Sequence, residues 1–265
     1  MLAAMTADAP AEGRIVTHAE DHVLTITIDR PKKYNGFTPA MFRQLAEAYT
    51  AYEQDDELWC AVLLAEGKHF TAGLQLDQFN IMDRFSPEGL VDPLGLLPPL
   101  RTKPVVAGVH GICFTIGIEL MLATDVVVAA EDTRFSQLEV RRGLFPFGGA
   151  TMRFVERAGW GNAMRWLLTG GEFDGKEALR IGLVQELRPA AEVQARALEL
   201  AREIAKQAPL AVQATRASSM RYAEAGEAAA IADFPDLLRK IAHSEDFAEG
   251  VRSFVERRDA NFKGK

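Results

Sequence analysis

The sequence predicts an α/β protein with a helical tail, on three observations. Short runs of branched apolar residues recur between Val23 and Ala130, helical periodicity separates them, and no strong strand signal remains after about residue 188. VLTITI (23–28) alternates branched residues with threonine, the period-two pattern of a half-buried strand, and DRPKKYNG supplies turn chemistry after it. Pro39 opens a segment in which Met41, Leu45, Tyr49 and Tyr52 fall on one face of an amphipathic helix. AVLLAE (61–66), VVAGVH (105–110) and VVVAA (126–130) suit buried strands, and ELMLAT between the last two reads as helix. Residues 79–100, FNIMDRFSPEGLVDPLGLLPPL, hold four prolines and no steady period, so they read as a long surface loop of the kind that covers sites. Val193, Ala197, Leu200 and Ile204 mark an amphipathic helix ending before Pro209. AVQATRASSMRYAEA and FPDLLRKIAHSEDFAEGVRSFVERR continue the tail as helix.

With 265 residues, 48% of them hydrophobic and 25% charged, the composition is that of a globular chain able to enclose one sizeable core. Thirty basic against 37 acidic residues give a net charge of -7, and there is no long Lys/Arg run, so no nucleic-acid partner is expected. MLAAMTADAPAEG has neither the basic nor the apolar region of a signal peptide; residues 1–13 read as a disordered lead, with the folded chain starting near Arg14. The most apolar stretch, 105–130, is interrupted by Glu119 and Asp125, which argues against a membrane span. Cys60 and Cys113 lie in apolar stretches and do not resemble a disulfide framework, so a reducing, cytoplasmic setting fits best.

Glu119 is an odd carboxylate, because Ile116, Ile118, Leu120, Met121 and Leu122 leave little nearby to solvate a charge. A helix could point it at solvent or at an arginine; otherwise burial moves its pKa toward the working range of a general acid or base. Glu139 sits near Arg141 and Arg142, before a Gly/Pro-rich turn, and by itself reads first as a surface partner of either arginine, becoming a candidate second acid when paired with another carboxyl. The glycines of FTAG (70–73) and Gly117 let backbone approach a ligand and leave N–H groups free at a helix start. Two such donors can stabilise charge on a carbonyl oxygen.

HFTAGLQLDQF (69–79), GICFTIGIELMLATD (111–125) and FSQLEVRRGLFPFGGATMRF (135–154), with LLTGGEFDGKEALRIGLVQEL (167–187) and the tail FVERRDANFKGK, resemble the crotonase, or enoyl-CoA hydratase, superfamily. The resemblance implies a crotonase-like spiral of repeated ββα units over 14–195 and a C-terminal α-helical oligomerisation region over 196–265. That region would build a homotrimer, or a hexamer as a dimer of trimers. It implies an enoyl-CoA hydratase, a hydro-lyase of fatty acid metabolism that adds water across the α,β double bond of an acyl-CoA thioester. By the same resemblance Glu119 would orient and deprotonate water, Glu139 would protonate the α-carbon, and the N–H groups of Leu74 and Ile116 would form the oxyanion hole. Lys32, Lys33, Ala72, Gln75, Leu76, Phe147 and Lys263 match positions that contact substrate or CoA, although surface lysines are mostly just solvated.

The reaction needs no metal or cofactor beyond the CoA of the substrate, and the chain shows no HExxH, GxxxxGK[ST] or post-strand GxGxxG pattern. Another crotonase-type enzyme, such as an enoyl-CoA isomerase or acyl-CoA decarboxylase, and a non-catalytic acyl-CoA-binding or RNA-binding member are the alternatives. The pair of acids favours hydration over isomerisation. Three positions depart from the family pattern: Ile116 replaces a usual glycine, Phe147 a glycine of a PGxGG turn, and Asp77 a lysine. Ile116 is expected to take ordinary helical φ and only narrow the pocket. Asp125, His69 and His110 read as structural.

Overall fold

The structure, a computed structural model, describes residues 12–265, so the expected lead lies outside the described residues apart from Glu12 and Gly13. The larger sheet joins β1 (Arg14–Glu20), β2 (Val23–Asp29), β3 (Cys60–Ala65), β4 (Val105–Val109), β6 (Val126–Ala130) and β9 (Glu186–Arg188), in that spatial order. β1 is antiparallel to β2 and the other neighbours are parallel, in a register that sets Leu24 opposite Ala61 and Val62 opposite Val106. β3 reads as an unbroken apolar run because all six residues are buried between layers on both faces. On one side lies helix α1 (Pro39–Gln54), started by Pro39 and by Thr38 Oγ1 accepting the Met41 N–H at 3.2 Å. Its buried face carries Met41, Leu45, Tyr49 and Tyr52, as the spacing predicts. On the other side helix α6 (Val193–Ala205) lays Val193, Ala197, Ala201 and Ala205 against Val62, Leu64, Val106 and Val128. The small alanines permit a close approach: a Cβ on Gly108 of β4 would stand 3.1 Å from Ala197 Cβ.

A smaller sheet joins β5 (Ile112–Phe114), β7 (Arg134–Ser136) and β8 (Glu172–Phe173). Its strands follow those of the larger sheet after short turns: β4 leads to β5 and then to helix α2 (Ile116–Leu122), and β6 leads to β7 and on to helix α3 (Ala150–Ala158). Thr71, bridged to Cys113, gives the segment after β3 the same place, so the chain winds through repeated strand–strand–helix turns. The crossing from β4 to β5 requires a glycine at 111, where φ is +63° and a Cβ would collide with Lys68 O.

Helices α4 (Trp160–Thr169) and α5 (Gly175–Arg180) precede the last strand. Helix α6 straddles position 195, and beyond it come the helical segment α7 (Pro209–Ala242), interrupted at Gly226 where φ is 80°, and helix α8 (Glu245–Glu256). The tail sequence suggests a new helix from Phe234, whereas the second part of α7 already follows Gly226 and carries Pro235 within it. Arg216 of α7 anchors this region to the core by donating to Asp125 Oδ1 at 2.9 Å and to Arg101 O at 2.8 Å. Among the described residues no helix is long and apolar enough to cross a membrane.

Candidate active site

The site forms where successive turns of the spiral come together. The Thr71 N–H donates to Ile112 O at 3.0 Å and the Phe114 N–H to Thr71 O at 3.0 Å, so residues 71–74 run beside 113–117. The contact is close enough that a Cβ on Gly73 would collide with Thr115 Oγ1, and one on Gly117 would lie 2.6 Å from Thr71 Cγ2. Leu74 and Ile116 follow Gly73 and Thr115 in sequence. Among the described residues neither Leu74 N–H nor Ile116 N–H meets a hydrogen-bond acceptor, the first because Phe37 pairs with its neighbours Gly73 and Gln75, the second because it opens helix α2.

Ile116 itself is helical, as expected, and the positive φ falls one residue earlier, on Thr115 at 51°. For a β-branched residue this is a strained conformation that its surroundings must impose. Ile116 is 2% exposed, with its side chain packed in the main core.

Helix α2 carries Glu119 inward, where it is 3% exposed. Its Oε1 accepts the N–H groups of Gly148 at 2.7 Å and Ala150 at 3.2 Å, so one carboxyl oxygen is fixed by main chain at the start of helix α3. A Cβ on Gly148 would collide with Oε2 and stand 2.7 Å from Cδ, which is why this turn needs glycine. Burial pushes the Glu119 carboxyl up to about 7, against the opposing pull of the Ala150 and Gly148 N–H groups and of Arg153.

Glu139, on the 3-10 turn Glu139–Arg142, is 8% exposed. Burial pushes it up to about 7 as well; its own N–H opposes this and the charge of Glu119 adds to it. Glu139 therefore feels the charge of Glu119. Arg141 does not pair with Glu139, because its Nε donates to Thr169 O at 3.2 Å.

The 79–100 loop has an interior of its own. Asp92 accepts Ser86 Oγ–H at 2.9 Å and the N–H groups of Leu94, Leu96 and Leu97, and Val91 and Leu94 are buried in the main core. Arg153 of α3 ties the loop down through Gly95 O at 3.1 Å. Aromatic contacts run from core to surface: Phe42 to Phe85 at 5.5 Å, Phe85 to Phe79 at 5.1 Å and to Phe147 at 5.7 Å, and Phe147 to Phe145 at 6.0 Å. Phe147 thus stands directly before Gly148, whose N–H holds Glu119, and forms part of an apolar wall beside it.

The 30–37 turn is bonded to the donor segment, since the Ala72 N–H donates to Tyr34 O and the Gln75 N–H to Phe37 O, each at 2.9 Å. Lys32, Lys33, Ala72, Gln75 and Leu76 consequently gather on one rim, where Gln75 Oε1 accepts from Arg30 Nη1 at 2.9 Å. Lys263 is not brought to them. Its N–H donates to Asp246 Oδ1 at 2.6 Å, and the adjoining Gly264 lies against Trp59, before β3, whereas the donor segment follows that strand.

Asp125 is structural, as read: it accepts from Arg101, Arg216 and the Val105 N–H. His110 Nε2 meets Gly67 O at 2.9 Å and His69 Nδ1 accepts the Ile112 N–H at 3.1 Å, so both histidines serve the turns. Among the described residues no cluster of three or more His, Cys, Asp or Glu could hold a metal ion. Sequence reasoning missed Arg30, Asn35, Thr115, Gln137 and Arg153. Asn35, which accepts the Arg30 N–H and donates to Glu66 O and His69 O, could have been suspected from the turn signal of Asn35-Gly36.

A ββα spiral with two buried acids beside two unpaired main-chain donors is a crotonase-type arrangement. The chain matches the family described as Enoyl-CoA hydratase/isomerase over residues 18–265 and belongs to it, as an enzyme of the crotonase superfamily. It is similar to a solved structure of a probable enoyl-CoA hydratase/isomerase from Mycobacterium abscessus, with TM-score 0.92, 45% identity, and 95% of this chain and 98% of that one covered. Two relatives from Escherichia coli K12 are each 30% identical. A 2,3-dehydroadipyl-CoA hydratase covers 95% of this chain and 99% of its own, and a 1,2-epoxyphenylacetyl-CoA isomerase covers 95% and 98%.

Proposed function

We propose that this chain is an enoyl-CoA hydratase that adds water across the α,β double bond of an enoyl-CoA thioester. The observation that carries this reading is the pair of buried carboxyls, each raised to about 7 and, among the described residues, with no cation bonded to it, beside the N–H groups of Leu74 and Ile116, which meet no acceptor among those residues. Glu119, with one oxygen held by main chain, starts ionised and orients water with the other. Glu139 starts protonated, which the nearby negative charge of Glu119 favours. Water gives its oxygen to the β-carbon and a proton to Glu119, the π electrons move toward the thioester oxygen, and Glu139 delivers its proton to the α-carbon. The proton gained by Glu119 then returns to Glu139, and the enzyme is reset. The Leu74 and Ile116 N–H groups act as an oxyanion hole, a type of interaction whose loss costs about 3–4 kcal/mol of barrier per donor.

The acyl chain extends along Phe79, Phe85, Phe145 and Phe147, and the CoA portion lies over the rim of Lys32, Lys33, Ala72, Gln75 and Leu76. The chemistry calls for no metal or redox group. Assembly as a trimer, or a hexamer, is supported by exposed Phe247, Val251, Phe254 and Val255 on α8, beside a cleft of about 510 Å³ lined almost wholly by apolar groups. Lys263 would reach a CoA only in such an assembly. A reducing, cytoplasmic setting agrees with the free, buried Cys60 and Cys113.

The test is a panel of enoyl-CoA thioesters of increasing chain length, followed by loss of the conjugated enoyl absorbance and by the mass gain of one water. Decay with water gain supports the reading. No decay at any length, or a product that has only moved its double bond, overturns it and favours the isomerase alternative.

A further inference from the structure

Gln137 is fully buried, at 0% exposure, directly after β7. With its amide nitrogen turned toward its acceptors, the orientation that satisfies both ends of the amide, it donates to Glu139 Oε1 and Oε2 and to Thr115 O, each at 3.2 Å. Thr115 O belongs to the same peptide unit as the unpaired Ile116 N–H. The preceding residue, Ser136, accepts the Thr115 N–H at 2.9 Å, so the last residue of β7 and the one after it grip Thr115 from both sides in its strained conformation.

We propose, resting on the hydratase reading, that Gln137 is a positioning residue that ties the proton donor Glu139 to the peptide presenting the Ile116 N–H, so that acid and oxyanion donor keep one register. Its N–H on Thr115 O also polarises that peptide and makes the Ile116 N–H a stronger donor. Its N–H on Glu139 stabilises the carboxylate left after proton transfer, which is charge that develops only as the reaction proceeds. The charge acting on Glu139 from a neighbouring element is that of Glu119 on α2; on its own turn Arg141 is held by Thr169 O and Arg142 is exposed.

The test is Gln137→Leu, with Gln137→Met as the second variant should the first fail to fold. The readouts are kcat and KM, the pH profile, and the infrared stretch of a 13C-labelled thioester carbonyl in bound butyryl-CoA, which cannot react. Without the amide donor the Glu139 carboxylate is less favoured, so the acid keeps its proton to higher pH. The expected result is a fall in kcat of about 10- to 100-fold with KM within about threefold, an alkaline limb moved upward, and a carbonyl stretch shifted back toward its value in water. A folded variant whose alkaline limb or carbonyl stretch matches wild type overturns the proposal. Failure of wild type to hydrate any enoyl-CoA would sink the hydratase reading instead, and the carbonyl stretch would still test the link to Ile116.

Discussion

Among the described residues three glutamates are buried, and two regions treat them in opposite ways. In the C-terminal helices Glu249, 8% exposed, accepts from Arg252 at 2.7 Å, from Arg258 at 2.5 Å and from the Asn261 N–H at 3.0 Å. These partners, Arg258 foremost, hold its carboxyl far below the usual range. In the spiral core Glu119 and Glu139 are 3% and 8% exposed, but among the described residues the first is bonded by main-chain N–H groups and the second by a neutral amide, and burial pushes both up to about 7. Burial alone does not make a carboxyl structural or reactive; what decides is whether a guanidinium completes it.

Substituting the core acids should produce the largest effect. Glu119→Gln and Glu139→Gln are each expected to lower kcat by about 10²–10⁴-fold while circular dichroism stays that of wild type. Near-normal turnover in either would remove that residue from the mechanism. Gly148→Ala should follow, with a loss on the order of 10²-fold, because the new methyl, just before helix α3 and at a residue without positive φ, displaces the Glu119 carboxyl; steady-state kinetics with an unchanged melting curve would show this.

Stability should separate the two regions by sign. A carboxyl raised from 4.5 to about 7 contributes stability that is complete below pH 4.5 and lost as pH rises through 7, so at pH 8 Glu119→Gln should raise the melting temperature, by about 1–3 kcal/mol in free energy. Glu249 has a depressed pKa, so its contribution is present above pH 4.5 and is lost as pH falls; Glu249→Gln should melt lower at pH 8 and approach wild type in acid. Melting shifts of the same sign in both variants would break the contrast. The smallest effect belongs to the apolar wall, where Phe147→Gly should change relative kcat/KM across acyl chain lengths by about 5- to 10-fold per methylene gained or lost, roughly 1 kcal/mol and at the low end for an apolar pocket. An unchanged profile would take Phe147 out of the pocket.

Much of this frame is legible in the sequence where periodicity is strong. β2, β3, β4, β6, α1 and α6 each announce themselves by alternation, by an unbroken apolar run or by a helical stripe, because each is buried by the layers packed on it. β1, RIVTHAE, is an exposed edge strand without alternation, and β5, β7 and β8 span only two or three residues that exist by pairing across the chain. Glu119 stands out as a charge among apolar neighbours, whereas Glu139 is assigned through likeness to a family. Gln137, the strain on Thr115 and the Asp92 centre of the 79–100 loop carry no local signal, since each depends on partners distant in sequence.

The central claim is that burial lifts two core acids into the neutral range, where, among the described residues, no cation is bonded to them. It is tested most directly by a pH titration of 13C-labelled glutamate carboxyls by NMR, in wild type and in Glu119→Gln. The account predicts two apparent pKa values for the pair, at least one near 7, and a fall in that of Glu139 once the Glu119 charge is gone. Two independent titrations near 4.5, unmoved by the substitution, would contradict it.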